Sequence, residues 1–178
     1  GFNQMFTGEA PDLNKKLKDE GFLVYPRYGW FGHQYKVSDA NRQFAAVGAD
    51  GKPLQKDFCP QAILDNPADP EMGKYFRKAK TMGALQDIAG LCVDFECPPV
   101  WCWCDRCVDK FRRESGHQTK DRSELAAGGR YEDDYRDFGR RLNRDLLAEV
   151  SRIMKKENPS LKYYSLASAS DMPAYWWD

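Results

Sequence analysis

The sequence predicts an α/β protein built on parallel strands. Three observations carry this. Short apolar runs alternate with longer stretches whose apolar residues recur every three or four positions. The run Gly90-Leu91-Cys92-Val93 has the continuous apolar character of a buried parallel strand. Gly, Asn-Pro and Asp-Gly punctuate the boundaries between these stretches.

The elements follow in chain order. Residues 10–20 read as a helix, with Asp12 near its start, Leu13 and Leu17 on one face and Gly21 as its stop. Residues 22–25 read as a short strand closed by Pro26. The loop Arg27-Tyr28-Gly29-Trp30-Phe31-Gly32-His33 then lies at the strand's C-terminal end, where α/β folds place their working residues. Residues 44–54 predict a hairpin turning at Asp50-Gly51. Phe58-Cys59-Pro60 reads as a brief strand or its end. Asp69 as N-cap and Pro70 as first helical residue start a helix reaching about residue 86, with Met72, Tyr75, Phe76, Ala79, Met82 and Leu85 at helical spacing. Residues 88–95 form the central strand. Residues 105–115 form a helix with Val108 and Phe111 on one face, and 117–130 a polar loop. The longest helix spans 131–157, carrying Tyr135, Phe138, Leu142, Leu146, Val150 and Ile153, and Asn158-Pro159 ends it. Residues 161–166 are the last strand, and an aromatic-rich loop follows.

Strands alternating with helices pair in parallel through right-handed crossovers. Three such strands alone leave two open edges, and a complete (β/α)8 TIM barrel takes about 250 residues. The expectation is a section of such a barrel: one partial catalytic-type domain over 1–178, completed by further chain or by a homo-oligomer. The segment Gly1-Phe2-Asn3-Gln4 lacks the pattern of a secretory signal and reads as if cut from something longer, which leaves localisation open. The formal net charge of +0 and the absence of a basic stripe argue against nucleic acid as partner. A mean hydropathy of -0.74, with no apolar run near the ~20 residues of a membrane span, argues against a membrane.

The chemistry concentrates in residues 90–111. Asp94 and Glu96 are one residue apart, a spacing that puts both on one side of a strand. Paired carboxyls at a strand end suit glycoside hydrolysis, which uses an acid and a nucleophile or base across the scissile bond. Glu96 is the candidate general acid and Asp94 the residue that tunes or orients it. Their structural alternative is to cap a helix or pair with Arg27 or Arg106. Tyr25, Tyr28, Trp30, His33, Trp176 and Trp177 are candidates to line a carbohydrate site, since exposed aromatics stack on sugars, although packing explains many such residues. His117 reads as a loop residue without a chemical role.

Cys102-Trp103-Cys104-Asp105-Arg106-Cys107 supplies three thiolates from one turn, and a structural Zn²⁺ takes four. Cys59, at a strand end and followed by Pro60, is the first choice for the fourth; Cys97 is its competitor, and Cys92 reads as a small core residue. Four thiolates leave no position for water, so the ion would brace the loop after Glu96 rather than react. No organic cofactor is expected. Free or bridged thiols are the alternative, and a redox or zinc-transfer role is weaker because Trp101 and Trp103 suggest a packed site.

These residues resemble a known group. An acid at a strand end, then CxCxxC, then Phe111 on the next helix is similar to the family 42 β-galactosidases and related (β/α)8 glycosidase-like proteins. The resemblance covers about residues 57–166 and is specific in its cysteines. It implies that Cys59 joins Cys102, Cys104 and Cys107 around zinc. That family has Asn before its acid/base Glu, where this chain has Phe95. Leu91-Cys92-Val93-Asp94-Phe95-Glu96 also resembles the strand end of family 18 chitinases, with Cys92 standing at that family's first Asp. Both resemblances imply Glu96 as proton donor. They differ on its partner: a carboxylate on a later strand, or the substrate's acetamido group assisted by Asp94. The function expected is glycosidic bond cleavage; the alternative is a non-catalytic, zinc-stabilised carbohydrate-binding barrel protein.

Overall fold

The computed structural model describes residues 3–8, 10–29, 36–94 and 101–166. Its elements are β1 (Gln4–Thr7), α1 (Pro11–Asp19), β2 (Leu23–Gly29), β3 (Ala45–Val47), β4 (Pro53–Phe58), α2 (Pro60–Asp65), α3 (Gly73–Gly83), β5 (Leu91–Asp94), α4 (Asp105–Ser115), α5 (Glu132–Glu157) and β6 (Tyr163–Leu166). They fall into two compact units. One holds Gly1–Trp30, Tyr75–Pro98 and Glu149–Asp178; the other holds Phe31–Lys74 and Pro99–Ala148. Among the described residues no helix is long and apolar enough to cross a membrane.

The first unit is organised on a sheet in the order β1-β2-β5-β6, with every pairing parallel, as the alternation of strands and helices predicts. β1 was not legible: QMFT shows no apolar alternation, and its residues are mostly exposed. β2 corrects a second expectation, because Pro26 does not close it. Residues Leu23 to Pro26 pair with β1, and Arg27 to Gly29 pair with β5. Pro26 therefore stands at the changeover between two ladders, where its missing N–H is needed least. Arg27, Tyr28 and Gly29 consequently belong to the strand and not to the loop after it.

Helices cover one face of this sheet. Lys78 of α3 lies over the Tyr28 ring, 5.3 Å from its centroid. Lys155 of α5 lies over Tyr163, whose hydroxyl donates to the Ser151 carbonyl at 3.3 Å. Tyr75, Ala79 and Met82 of α3 and Val150 and Met154 of α5 are buried. Their recurrence every three or four residues is the amphipathic pattern that a sheet-covering helix requires. α1 departs from its expected face: Leu13 is 47% exposed, whereas Asn14 is buried and accepts a hydrogen bond from the Thr7 hydroxyl at 2.7 Å. At the first residue of β5, the Leu91 N–H donates to the Lys162 carbonyl at 2.8 Å. Gly90 permits this approach, since a Cβ there would lie 2.6 Å from the Lys162 oxygen.

In the second unit, β3 and β4 pair antiparallel across the expected turn. Gly51 sits at φ +79, a backbone region that glycine enters without Cβ strain. α2 has no counterpart in the sequence reading, which takes Phe58-Cys59-Pro60 as a brief strand or its end. It starts on Pro60, which is suited to a first helical position because its missing N–H would be unpaired there anyway. Asp69 does act as a cap, its carboxylate accepting from the Glu71 and Met72 N–H groups at 2.8 and 3.0 Å. A turn follows it, so the regular helix begins at Gly73 and ends at Gly83, shorter than expected. The polar stretch 117–130 contains a short 3-10 turn, Arg122–Leu125, that buries Leu125. α4 and the first half of α5 complete the core. Phe111 meets Tyr135 edge-on at 5.0 Å and Phe138 at 5.7 Å, contacts worth about 0.5–1.5 kcal/mol each beyond their burial. Acids open α5 and lysines close it, matching the helix dipole.

Candidate functional site

Four cysteines meet in the second unit. The Sγ atoms of Cys59, Cys102, Cys104 and Cys107 all lie within 4.8 Å of one another. Each is placed by ordinary local structure. Cys59 ends the hairpin, its N–H donating to the Phe44 carbonyl at 2.9 Å, and it caps α2. Cys104 is the N-cap of α4, and Cys107 lies in that helix's first turn. Residues 102–103 run beside β3: the Trp103 N–H donates to the Val47 carbonyl at 2.8 Å, and the Val47 N–H donates to Cys102 Sγ at 3.4 Å.

The donor set suits a metal ion. Tetrahedral thiolate ligation at about 2.3 Å places sulfurs roughly 3.8 Å apart. Cys59 lies 3.6 Å from Cys104 and 3.4 Å from Cys107, sulfur to sulfur, and all four are free thiols. Hydrogen bonds from Cys102, Cys107 and Cys59 push the Cys104 thiol down, while the buried Cys59 and Cys107 thiols are pushed up, chiefly by their bonds with Cys102 and Cys104. Thiols packed this closely oppose one another's ionisation, and a bound cation would offset that repulsion. The Cys59 choice holds in space. Cys92 lies apart, buried within β5, and Cys97 falls outside the described residues.

The cluster is buttressed by residues that no motif marked. The Tyr135 hydroxyl donates to the Cys102 carbonyl at 2.5 Å. Burial, and then the surrounding thiols, raise its ionisation well above the ordinary tyrosine value, so it stays a neutral donor. Trp103 donates its indole N–H to the Leu125 carbonyl at 3.4 Å and stacks with Trp101, ring centroids 6.5 Å apart. Arg122 donates to the Trp103 carbonyl and to Asp105, each at 2.7 Å. The flanking tryptophans are packed, as the sequence suggested. His117 stacks on Tyr131 at 4.3 Å and its Nε2 lies 2.8 Å from the Asp134 carboxylate, a surface packing role.

The acids belong to the other unit. Asp94 is the last residue of β5, in register with Gly29 of β2 and Leu166 of β6. Three parallel strands thus end level on one edge of the sheet, the C-terminal edge where α/β folds bind ligands. Glu96, Trp30, His33, Trp176 and Trp177 lie outside the described residues, as does Phe95. Tyr25 and Tyr28 are both buried in β2, 3% and 1% exposed. Tyr28 is on the helix-bearing face under Lys78, a position that suits packing rather than sugar contact. Tyr25 meets the Phe6 ring at 5.8 Å on the opposite face.

No protein-family model matches the sequence, and no curated protein matches it. Solved structures do resemble it. The chain superposes on the β-galactosidase from Rahnella sp. R3 with a TM-score of 0.63 at 17% identity, over 92% of this chain and 31% of that one. It superposes on α-L-fucosidase isoenzyme 2 from Paenibacillus thiaminolyticus with a TM-score of 0.56 at 15% identity, over 84% of this chain and 21% of that one. The fold is therefore shared with parts of two glycoside hydrolases, and this chain spans less than a third of either protein's length.

Proposed function

We propose that this chain is a section of a (β/α)8-barrel glycoside hydrolase of the kind the family 42 resemblance implies. Glu96 protonates the glycosidic oxygen and Asp94 orients or tunes it. The observation that carries the reading is the pairing of two features: β5 ending on Asp94 at the level C-terminal edge of a parallel sheet, with Glu96 two residues further along the sequence, and a fold shared with a β-galactosidase and an α-L-fucosidase. The candidates to hold the sugar are Trp30, His33, Trp176 and Trp177, together with Tyr25.

Zn²⁺ is the ion we assign to Cys59, Cys102, Cys104 and Cys107, since a compact set of four thiolates selects a soft tetrahedral cation. Bound there it supplies structural bracing, with no open position for catalysis. The cysteines tie α4 to the hairpin within the second unit.

The test is Glu96→Gln in the full-length protein, assayed on aryl glycosides that include β-galactosides and α-L-fucosides. Loss of a general acid should lower turnover by about 10²–10⁴-fold. Undiminished turnover rules the role out. Saturable sugar binding with no hydrolysis in the unaltered protein would identify the non-catalytic carbohydrate-binding alternative instead.

A further inference from the structure

We propose that Cys104 is an oxidation site: a peroxide takes its sulfur first, Cys59 closes a disulfide on it, and the new bond dismantles the metal centre. The inference stands apart from glycosidic cleavage and concerns only the four clustered thiols.

Exposure singles out Cys104. Cys59 and Cys107 are completely buried and Cys102 is 5% exposed, whereas Cys104 is half-buried. An oxidant arriving from solvent therefore meets one sulfur of the cluster before the others. Trp103, its neighbour in the chain, is packed through its indole N–H and its ring. Cys104 keeps its opening beside that packed residue.

Its surroundings are those of a reactive cysteine. Cys104 is the N-cap of α4, a helix of 11 residues, and its side chain makes no capping hydrogen bond. The N-terminus is the positive end of the helix dipole. Arg122 grips the residues on both sides of Cys104, donating to the Trp103 carbonyl and to the Asp105 carboxylate, each at 2.7 Å. The adjacent acid is thus offset by an ion pair. A helix N-terminus with a guanidinium nearby favours thiolate, the form that attacks a peroxide. A sulfur that ligates a metal is already in that form.

Cys59 is placed to answer. Its Sγ lies 3.6 Å from Cys104 Sγ. A disulfide of about 2.0 Å requires the two sulfurs to approach by a further ~1.6 Å. Cys59 caps α2 as Cys104 caps α4. The two helices are already linked by Arg106 of α4 and Asp65 of α2, 3.5 Å apart. Cys107 lies 3.4 Å from Cys59, but both of those sulfurs are buried, so a peroxide does not reach that pair first.

The steps balance. The Cys104 sulfur attacks one oxygen of hydrogen peroxide; an S–O bond forms, the O–O bond breaks, and hydroxide leaves to be protonated as water. The Cys59 thiolate then attacks the sulfenic sulfur; the S–S bond forms, the S–O bond breaks, and a second hydroxide leaves as water. The two thiols together lose two electrons and two protons, and the peroxide becomes two waters. A cation held by the four sulfurs loses two of its donors, and Cys102 with Cys107 cannot complete a tetrahedral site. A dithiol reductant reverses the change by exchange.

The experiment treats the unaltered protein, loaded with Zn²⁺, with increasing hydrogen peroxide. A colorimetric chelator follows zinc release, and mass spectrometry after alkylation maps the cysteine pairs. About one equivalent of zinc should leave for each Cys59–Cys104 bond formed, and dithiothreitol should restore binding. In Cys59→Ser, which lacks the second thiol, dimedone should trap Cys104 as its sulfenic acid. The map needs no variant, so a Cys59→Ser protein that fails to fold leaves the test intact. The inference is overturned by a first bond that omits Cys104, or by oxidation of Cys92 ahead of it. It is overturned equally by oxidation to sulfonic acid without a disulfide, or by zinc that is never bound or stays bound once the Cys59–Cys104 bond has formed. Both readouts are thiols and zinc, so a failure of the glycosidase reading leaves them unaffected.

Discussion

Replacing Cys59 with Ser tests the metal centre at its most connected ligand. Cys59 is fully buried and its Sγ sits 3.4 and 3.6 Å from two of the other three sulfurs. It alone comes from the hairpin side; the others come from residues 102–107. Structural zinc sites in small domains bind with about 10–16 kcal/mol of free energy that folding shares. Divided over four ligands, one thiolate is worth about 3 kcal/mol, or roughly a hundredfold in affinity. At about 2–4 °C per kcal/mol for a chain of this size, Tm should fall by about 6–12 °C. The assay is metal content by elemental analysis, a cadmium-substituted sample read by thiolate absorption, and thermal unfolding. Cys92→Ser is the control: that thiol is buried in β5 away from the cluster, so metal content should not change. The reasoning fails if the unaltered protein purifies without metal and with all its thiols titratable. It fails equally if Cys59→Ser binds metal as tightly as the parent.

Two further predictions concern the frame around the site. Gly90→Ala should destabilise the protein by about 1–3 kcal/mol, the range for overpacking, because its Cβ would lie 2.6 Å from the Lys162 oxygen at the start of the β5–β6 pairing; an unchanged thermal midpoint would refute the close approach. The Glu71 carboxyl is held below its ordinary value by the hydrogen bond from Lys74, then by that from Asn41. A carboxyl depressed in the folded state stabilises above its unfolded pKa of 4.5 and loses that contribution as pH falls through the folded value. Glu71→Gln should therefore flatten the acid side of the stability curve measured by denaturant titration. The effect should be small, because both partners are more than a third exposed and screened by solvent.

Much of the architecture was legible because its signals are local. α4 and α5 declare themselves by apolar residues every three or four positions, and the hairpin by Asp50-Gly51, since a helix or a tight turn is decided by residues adjacent in the chain. The alternation of these elements was enough to predict a parallel sheet. The failures share the opposite character. β1 is an edge strand without an apolar pattern, stabilised by the partner it pairs with. Pro26 reads as a stop, and β2 runs through it because two different neighbours divide the strand between them. Leu13, read as sharing an inward face with Leu17, is exposed, and Asn14 is buried instead, its Oδ1 accepting from the Thr7 hydroxyl. α2 was hidden by its brevity, six residues being too few to show a period.

The sequence by itself determined the alternation of strands and helices, the three clustered thiols, and Asp94 at a strand end, because each is a matter of spacing along the chain. The tertiary structure decided which distant residues complete them. Cys59 reaches the cluster only because β4 delivers its end beside residues 102–107. Tyr135 and Arg122 support it from elements that carry no cysteine. Arg27 falls level with Cys92 only through the register of β2 on β5. A ladder of backbone hydrogen bonds sets that register, and each slip of one residue would turn every side chain to the other face. Spacing along the chain carries the ingredients of a site; which of them meet is a property of the closed fold.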